Sequence, residues 1–184
     1  MLRLFIMTVG KTHSGKTTFA KKLEKQLMNS VVIDQDNHAA FINTHYKHIL
    51  PSEGPNTLKY AISQAVVDYA IQETSHHMIL CNSNLSKSGR AARLKQFREN
   101  GFHTILVHCD TPEEVLKERV ANSERSKSIF RSETSFEEVL RRQQSHSYFK
   151  DTGDPVEGEA DRLFVIQSEG EVEGVIREIV GILV

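Results

Sequence analysis

Residues Gly10-Lys11-Thr12-His13-Ser14-Gly15-Lys16-Thr17 fit G-x-x-x-x-G-K-[ST] at every defined position, and Thr18 carries the run into a helix-forming stretch. Glycines in such a loop let the backbone fold back, so that successive N–H groups and the next helix N-terminus face a polyphosphate. Lys16 would reach the outer phosphates, and the Thr17 hydroxyl would ligate Mg²⁺. A phosphate cradle predicts nucleotide binding but does not choose among a switch, a motor and a phosphotransferase, so other polar residues must decide.

A GTPase switch would show Asp-x-x-Gly after its third strand and an Asn-Lys-x-Asp base-reading motif; neither occurs. A motor ATPase would end an apolar strand in a carboxylate, whereas Met78-Ile79-Leu80-Cys81 runs into Asn82-Ser83-Asn84. Carboxylates stand instead after Val31-Val32-Ile33, in Asp34-Gln35-Asp36-Asn37-His38. The carboxyl ends of parallel strands are where open α/β sheets bind ligands, and a carboxylate there can orient an acceptor hydroxyl or take its proton. Both aspartates also suit the N-cap of a following helix. Capping is the stronger reading for Asp34 and chemistry for Asp36.

These groups need a scaffold, and the apolar runs Leu2–Val9, Val31–Ile33, Met78–Cys81, Thr104–Cys109 and Leu163–Ile166 supply one. Near-continuous apolar strands separated by helical periodicity predict an α/β three-layer sandwich, with a five-stranded parallel sheet covered on both faces. Helices are expected near 15–28, 36–47, 56–74, 88–100, 112–121, 135–149 and 171–183. Thr111-Pro112-Glu113-Glu114 reads as an N-cap followed by proline at the first helical position, and Ser135-x-x-Glu138 as a capping box. Residues 122–133 are polar and aperiodic and read as a small insert; 49–55 and 151–161 are further irregular stretches. A chain of 184 residues should form a single domain, 1–184.

A formal net charge of −1 offers no global field for nucleic acid or an anionic membrane. No apolar run is long enough to span a bilayer and no leader is apparent, so a cytoplasmic protein without membrane association is expected. Cys81 and Cys109 each end a strand-like run and are expected to be reduced, structural thiols. His45-x-x-His48 lacks further ligands at zinc spacing and reads as a solvated helix face.

Taken in order, the cradle, the strand-end Asp36, the Asn82-Ser83-Asn84-Leu85 turn, Arg90 to Phe97, Val115 to Arg119 and Glu138-Val139-Leu140-Arg141-Arg142-Gln143 resemble the P-loop kinases of the polynucleotide 5′-kinase and zeta-toxin-like group. Gluconate kinase is a more distant likeness. The resemblance implies a nucleoside-kinase-like fold with strand order 2-3-1-4-5 and a lid at 122–133. It implies Asp36 as the carboxylate acting on the acceptor, with Arg119 and Arg125 clamping donor phosphates beside Lys16, and ATP with Mg²⁺ as cofactors. Two departures stand out. His38-Ala39-Ala40 replaces the arginine with which polynucleotide kinases of this group grip substrate, which disfavours a nucleic-acid acceptor. Asn82 replaces a carboxylate that would hold Mg²⁺ through water, which leaves Thr17 and the donor phosphates as the main ligands.

The leading expectation is an ATP-dependent kinase that phosphorylates a hydroxyl of a small molecule or nucleotide. A polynucleotide 5′-hydroxyl kinase, a toxin-like sugar-nucleotide kinase and a non-catalytic ATP-binding regulatory module are the alternatives. Asn43, Asn56, Thr57 and Asn84 are candidate acceptor contacts.

Overall fold

The computed structural model describes residues 2–131, 134–145 and 151–183. Its strands are β1 (Arg3–Val9), β2 (Ser30–Asp34), β3 (His77–Cys81), β4 (Phe102–Cys109) and β5 (Arg162–Ile166). They form one sheet in the order β2-β3-β1-β4-β5, with every neighbouring pair parallel. The helices are α1 (Lys16–Gln26), α2 (Gln35–His45), α3 (Thr57–Glu73), α4 (Lys87–Glu99), α5 (Glu113–Ala121), α6 (Phe136–Gln144) and α7 (Val172–Gly181). Positions 146–149 of the expected sixth helix and 132–133 of the insert lie outside the described residues.

Both faces of the sheet are buried, which is why its central strands read as apolar runs rather than as alternation. Leu4, Ile6, Ile79, Cys81, Ile105 and Val107 point to one face, where Phe19 and Leu23 of α1 and Ile176 and Ile179 of α7 cover them. Phe5, Met7, Met78, Leu80 and Leu106 point to the other, against Val67 of α3 and Leu94 and Phe97 of α4. The hairpin of α5 and α6 keeps a small core of its own, built from Leu116, Val120, Phe136 and Leu140.

The Ser135 capping box is present, with both reciprocal hydrogen bonds. The cap expected at Thr111 is not: Pro112 takes the N-cap position without a side-chain cap, and the Thr111 hydroxyl donates to the Ser14 carbonyl at 3.2 Å. Thr111 thus ties the start of α5 to the phosphate loop. Asp34 caps α2, accepting the Asp36 N–H at 2.9 Å. β3 lies between β2 and β1, so the two aspartates stand one strand further from the cradle than sheet neighbours of β1 would.

Residues 151–161 form a strap across the β3–α4 turn. Arg90, fully buried, holds it: Nε and Nη2 donate to Glu159 at 2.9 and 3.0 Å, and Nη1 donates to the carbonyls of Asn84, Leu85 and Gly153. Asp151 accepts from the Ser88 N–H and from both serine hydroxyls at the start of α4.

Candidate active site

The loop from Gly10 to Gly15 connects β1 to α1 and is shaped by backbone conformations that side chains rarely permit. Gly10 has φ 150°, and a Cβ there would lie 2.7 Å from both the Cys109 carbonyl and Ser14 Oγ. Gly15, at φ 90°, turns the chain into α1. Lys16 is half-buried and donates to the Lys11 carbonyl and to Ser14 Oγ. Burial pushes its ammonium below the ordinary lysine value; Asp36 and the two cysteines oppose that shift and Arg125 adds to it.

A cavity of about 1290 Å³ opens over this loop. Sites for a single drug-sized ligand run to about 1,000 Å³, so there is room for a nucleotide and a second molecule. Lys16, Thr17, Thr18, Asp34, Asp36, Arg119 and Arg125 all line it. Arg119 Nη1 donates to the His13 carbonyl at 3.3 Å, and its Nη2 pairs with Glu169 at 2.8 Å. Arg125 Nη2 donates to Asp36 Oδ2 at 3.1 Å, across 89 positions of sequence. Cradle, carboxylate and both arginines therefore share one space. Ion pairs as exposed as Arg125–Asp36 are worth about 0–1 kcal/mol, little enough for donor phosphates to draw the arginine away.

For a divalent cation the chain offers oxygen ligands in the right place. Thr17 Oγ1 lies 3.5 Å from Cys81 Sγ, and Cys81 is the register partner of Asp34. Asp34 uses Oδ1 to cap α2 and is itself one of the residues lining the cavity. Burial, followed by the neighbouring Asp36, raises its pKa against the lowering effect of the Asp36 N–H. A nearby cation would relieve that cost, so Asp34 could support Mg²⁺ through water, a use its capping position hides in the sequence. Asn82 brings no charge and is already engaged: Nδ2 donates to Gln35 Oε1, and Oδ1 accepts the Ser83 N–H.

Three of the expected acceptor contacts serve the fold. Asn56 caps α3, Asn84 donates to the Thr8 carbonyl, and Asn43 donates to the Ser128 carbonyl. Thr57 begins α3. Residues not anticipated include Gln143, whose Oε1 accepts the Thr12 N–H at 2.7 Å, Ser123 beside His13, and Gln35. The capping box pointed to α6, but nothing in its spacing singled out Gln143. Among the described residues no cluster of His, Cys, Asp and Glu could hold a metal ion by itself, and no helix is long and apolar enough to cross a membrane.

A family model described as an AAA domain, AAA_33, matches residues 5–148. The chain belongs to this family of P-loop domains. Among solved structures, the family fold seen here is similar to the APS kinase CysC of Mycobacterium tuberculosis, solved with AMPPNP and APS, at 15% identity and TM-score 0.61 over 99% of this chain and 98% of that one. It is similar to a sugar kinase from Janibacter at 19% identity and TM-score 0.63, over 98% and 94% of the two chains. It also resembles Kti12 of Chaetomium thermophilum, solved with ADP-AlF3, at 16% and 0.62 over 95% and 96%. Identities this low establish the kinase-like P-loop fold. No curated protein matches the sequence.

Proposed function

We propose that this AAA_33 protein is an ATP-dependent kinase that transfers the γ-phosphoryl group to a hydroxyl of a small molecule or nucleotide. The observation that carries the reading is the Arg125–Asp36 contact inside the cavity of the phosphate loop. A protein that only bound nucleotide would have no use for a carboxylate opposite the phosphates. Asp36 orients the acceptor hydroxyl and takes its proton, Lys16 and the loop amides hold the donor phosphates, and Arg119 and Arg125 offset the charge that develops on the transferring group. Thr17 would hold Mg²⁺, with Asp34 supporting it through water, and the ion would supply charge neutralisation at the donor phosphates. Residues 122–131 act as the lid. One observation favours a non-catalytic ATP-binding module instead: Asn82, in the Walker B place, has both amide atoms engaged within the fold.

ADP release from Mg-ATP, measured alone and against nucleosides, nucleotide sugars, sugar acids, aminoglycosides and 5′-hydroxyl oligonucleotides, tests the proposal. Acceptor-dependent release is expected, with Asp36→Asn lowering kcat by about 10²-fold or more and leaving ATP affinity unchanged. A variant with full turnover would remove Asp36 from the reaction.

A further inference from the structure

We propose that His13 is a positioning residue: its imidazole tethers Ser123 to the phosphate loop and thereby sets the placement of Arg125. Five contacts define the tether. His13 Nε2 and Ser123 Oγ share a hydrogen bond of 2.7 Å, and His13 Nδ1 and Thr12 Oγ1 share one of 2.9 Å. Ser123 Oγ also accepts the backbone N–H of Arg125 at 3.3 Å, so a single hydroxyl joins the loop histidine to the arginine. The His13 ring meets the Phe136 ring edge-on, with centroids 4.8 Å apart, and the Arg125 guanidinium stacks over that same ring at 5.2 Å. A polyphosphate that reshapes residues 12–15 is therefore felt by Arg125 through one imidazole.

Burial, with Arg125, Lys16 and Arg119 close by and Glu137 opposing them, holds the imidazole below its ordinary pKa. The ring is neutral at pH 7, with one nitrogen donating and the other accepting.

The backbone makes the tether separable from loop geometry. His13 has φ 61°, in the left-handed region that asparagine tolerates better than most side chains. If the residue only shaped the loop, Asn would be its best replacement after glycine. A tether predicts otherwise, because the Gln amide can reach the position of Nε2 and Ser123, while the Asn amide reaches only that of Nδ1 and Thr12.

Hydrogen exchange of the 123–131 amides without nucleotide, in His13→Gln, His13→Asn, His13→Ala and Ser123→Ala, tests the tether. Loss of one neutral hydrogen bond should speed exchange by about two- to tenfold in the Asn, Ala and Ser123→Ala variants. His13→Gln should stay near wild type, and His13→Ala should add nothing to Ser123→Ala, which already removes the tether and the Arg125 N–H acceptor. Retention by Asn but not Gln, additivity in the double variant, or unchanged exchange would each overturn the proposal. The role given to Arg125 rests on the kinase reading, under which kcat should fall in the same order. Altered exchange together with no phosphotransfer to any acceptor would keep the tether and reject that reading.

Discussion

Asp34 and Asp36 sit two positions apart and are held to different work. Asp34 is 7% exposed and spends one oxygen on its helix, whereas Asp36 faces the cavity and Arg125. Because its folded pKa is raised, Asp34 costs stability wherever it is ionised: the penalty is full above the folded pKa and absent below the unfolded value of about 3.9. Asparagine caps helices about as well. Asp34→Asn should therefore match or exceed wild-type stability in urea at pH 7, and the difference should close as the pH falls below about 4. In an active kinase the same change should raise the Mg²⁺ requirement by about ten- to hundredfold, as loss of a supporting carboxylate does elsewhere. Spacing alone marked both aspartates and ranked capping first for Asp34, but its exposure to the cavity depends on the Asp34–Cys81 register. His13 and Gln143 escaped notice as bridges because their partners lie 110 and 131 positions away.

Helices and strands were legible because each element carries its own local cause, such as the Ser135 capping box or the runs of β1 and β4. Arg90 was not legible as a pillar, since an arginine within a helix reads as a solvated charge until the strap closes on it. Removing one partner of a buried pair costs about 3–5 kcal/mol, and Arg90 also serves several carbonyls. Arg90→Met should lower unfolding stability by that amount in a denaturant titration, which makes it far more damaging than removal of Lys95, whose pair with Glu99 is exposed. The strand-end thiols give a second check. Cys81 and Cys109 are both buried, and burial pushes each thiol up to about 11. β1 separates their strands, and two sheet spacings of about 4.8 Å exceed the roughly 7 Å that a disulfide can bridge. A thiol reagent at pH 7 should label neither cysteine in the native protein and both after denaturation, and mild oxidant should leave them uncrosslinked.

At the scale of the whole molecule, the parallel sheet gathers the cradle from β1, the aspartates from β2 and the Asn82 turn from β3 at the carboxyl ends of its strands, and the α5–α6 hairpin brings Arg119 and Arg125 over them. A net charge of −1 leaves recognition to this cavity and not to a long-range field. Its volume suits two ligands meeting end to end, which is the arrangement in-line transfer needs. The central claim is that the γ-phosphoryl group goes to an acceptor hydroxyl and not to water. ADP and inorganic phosphate measured together in one reaction, with an acceptor that stimulates turnover, test it most directly. Transfer predicts ADP accumulating with phosphorylated acceptor in equal amount and little free phosphate. Phosphate rising one-for-one with ADP would contradict it and make the protein an ATPase.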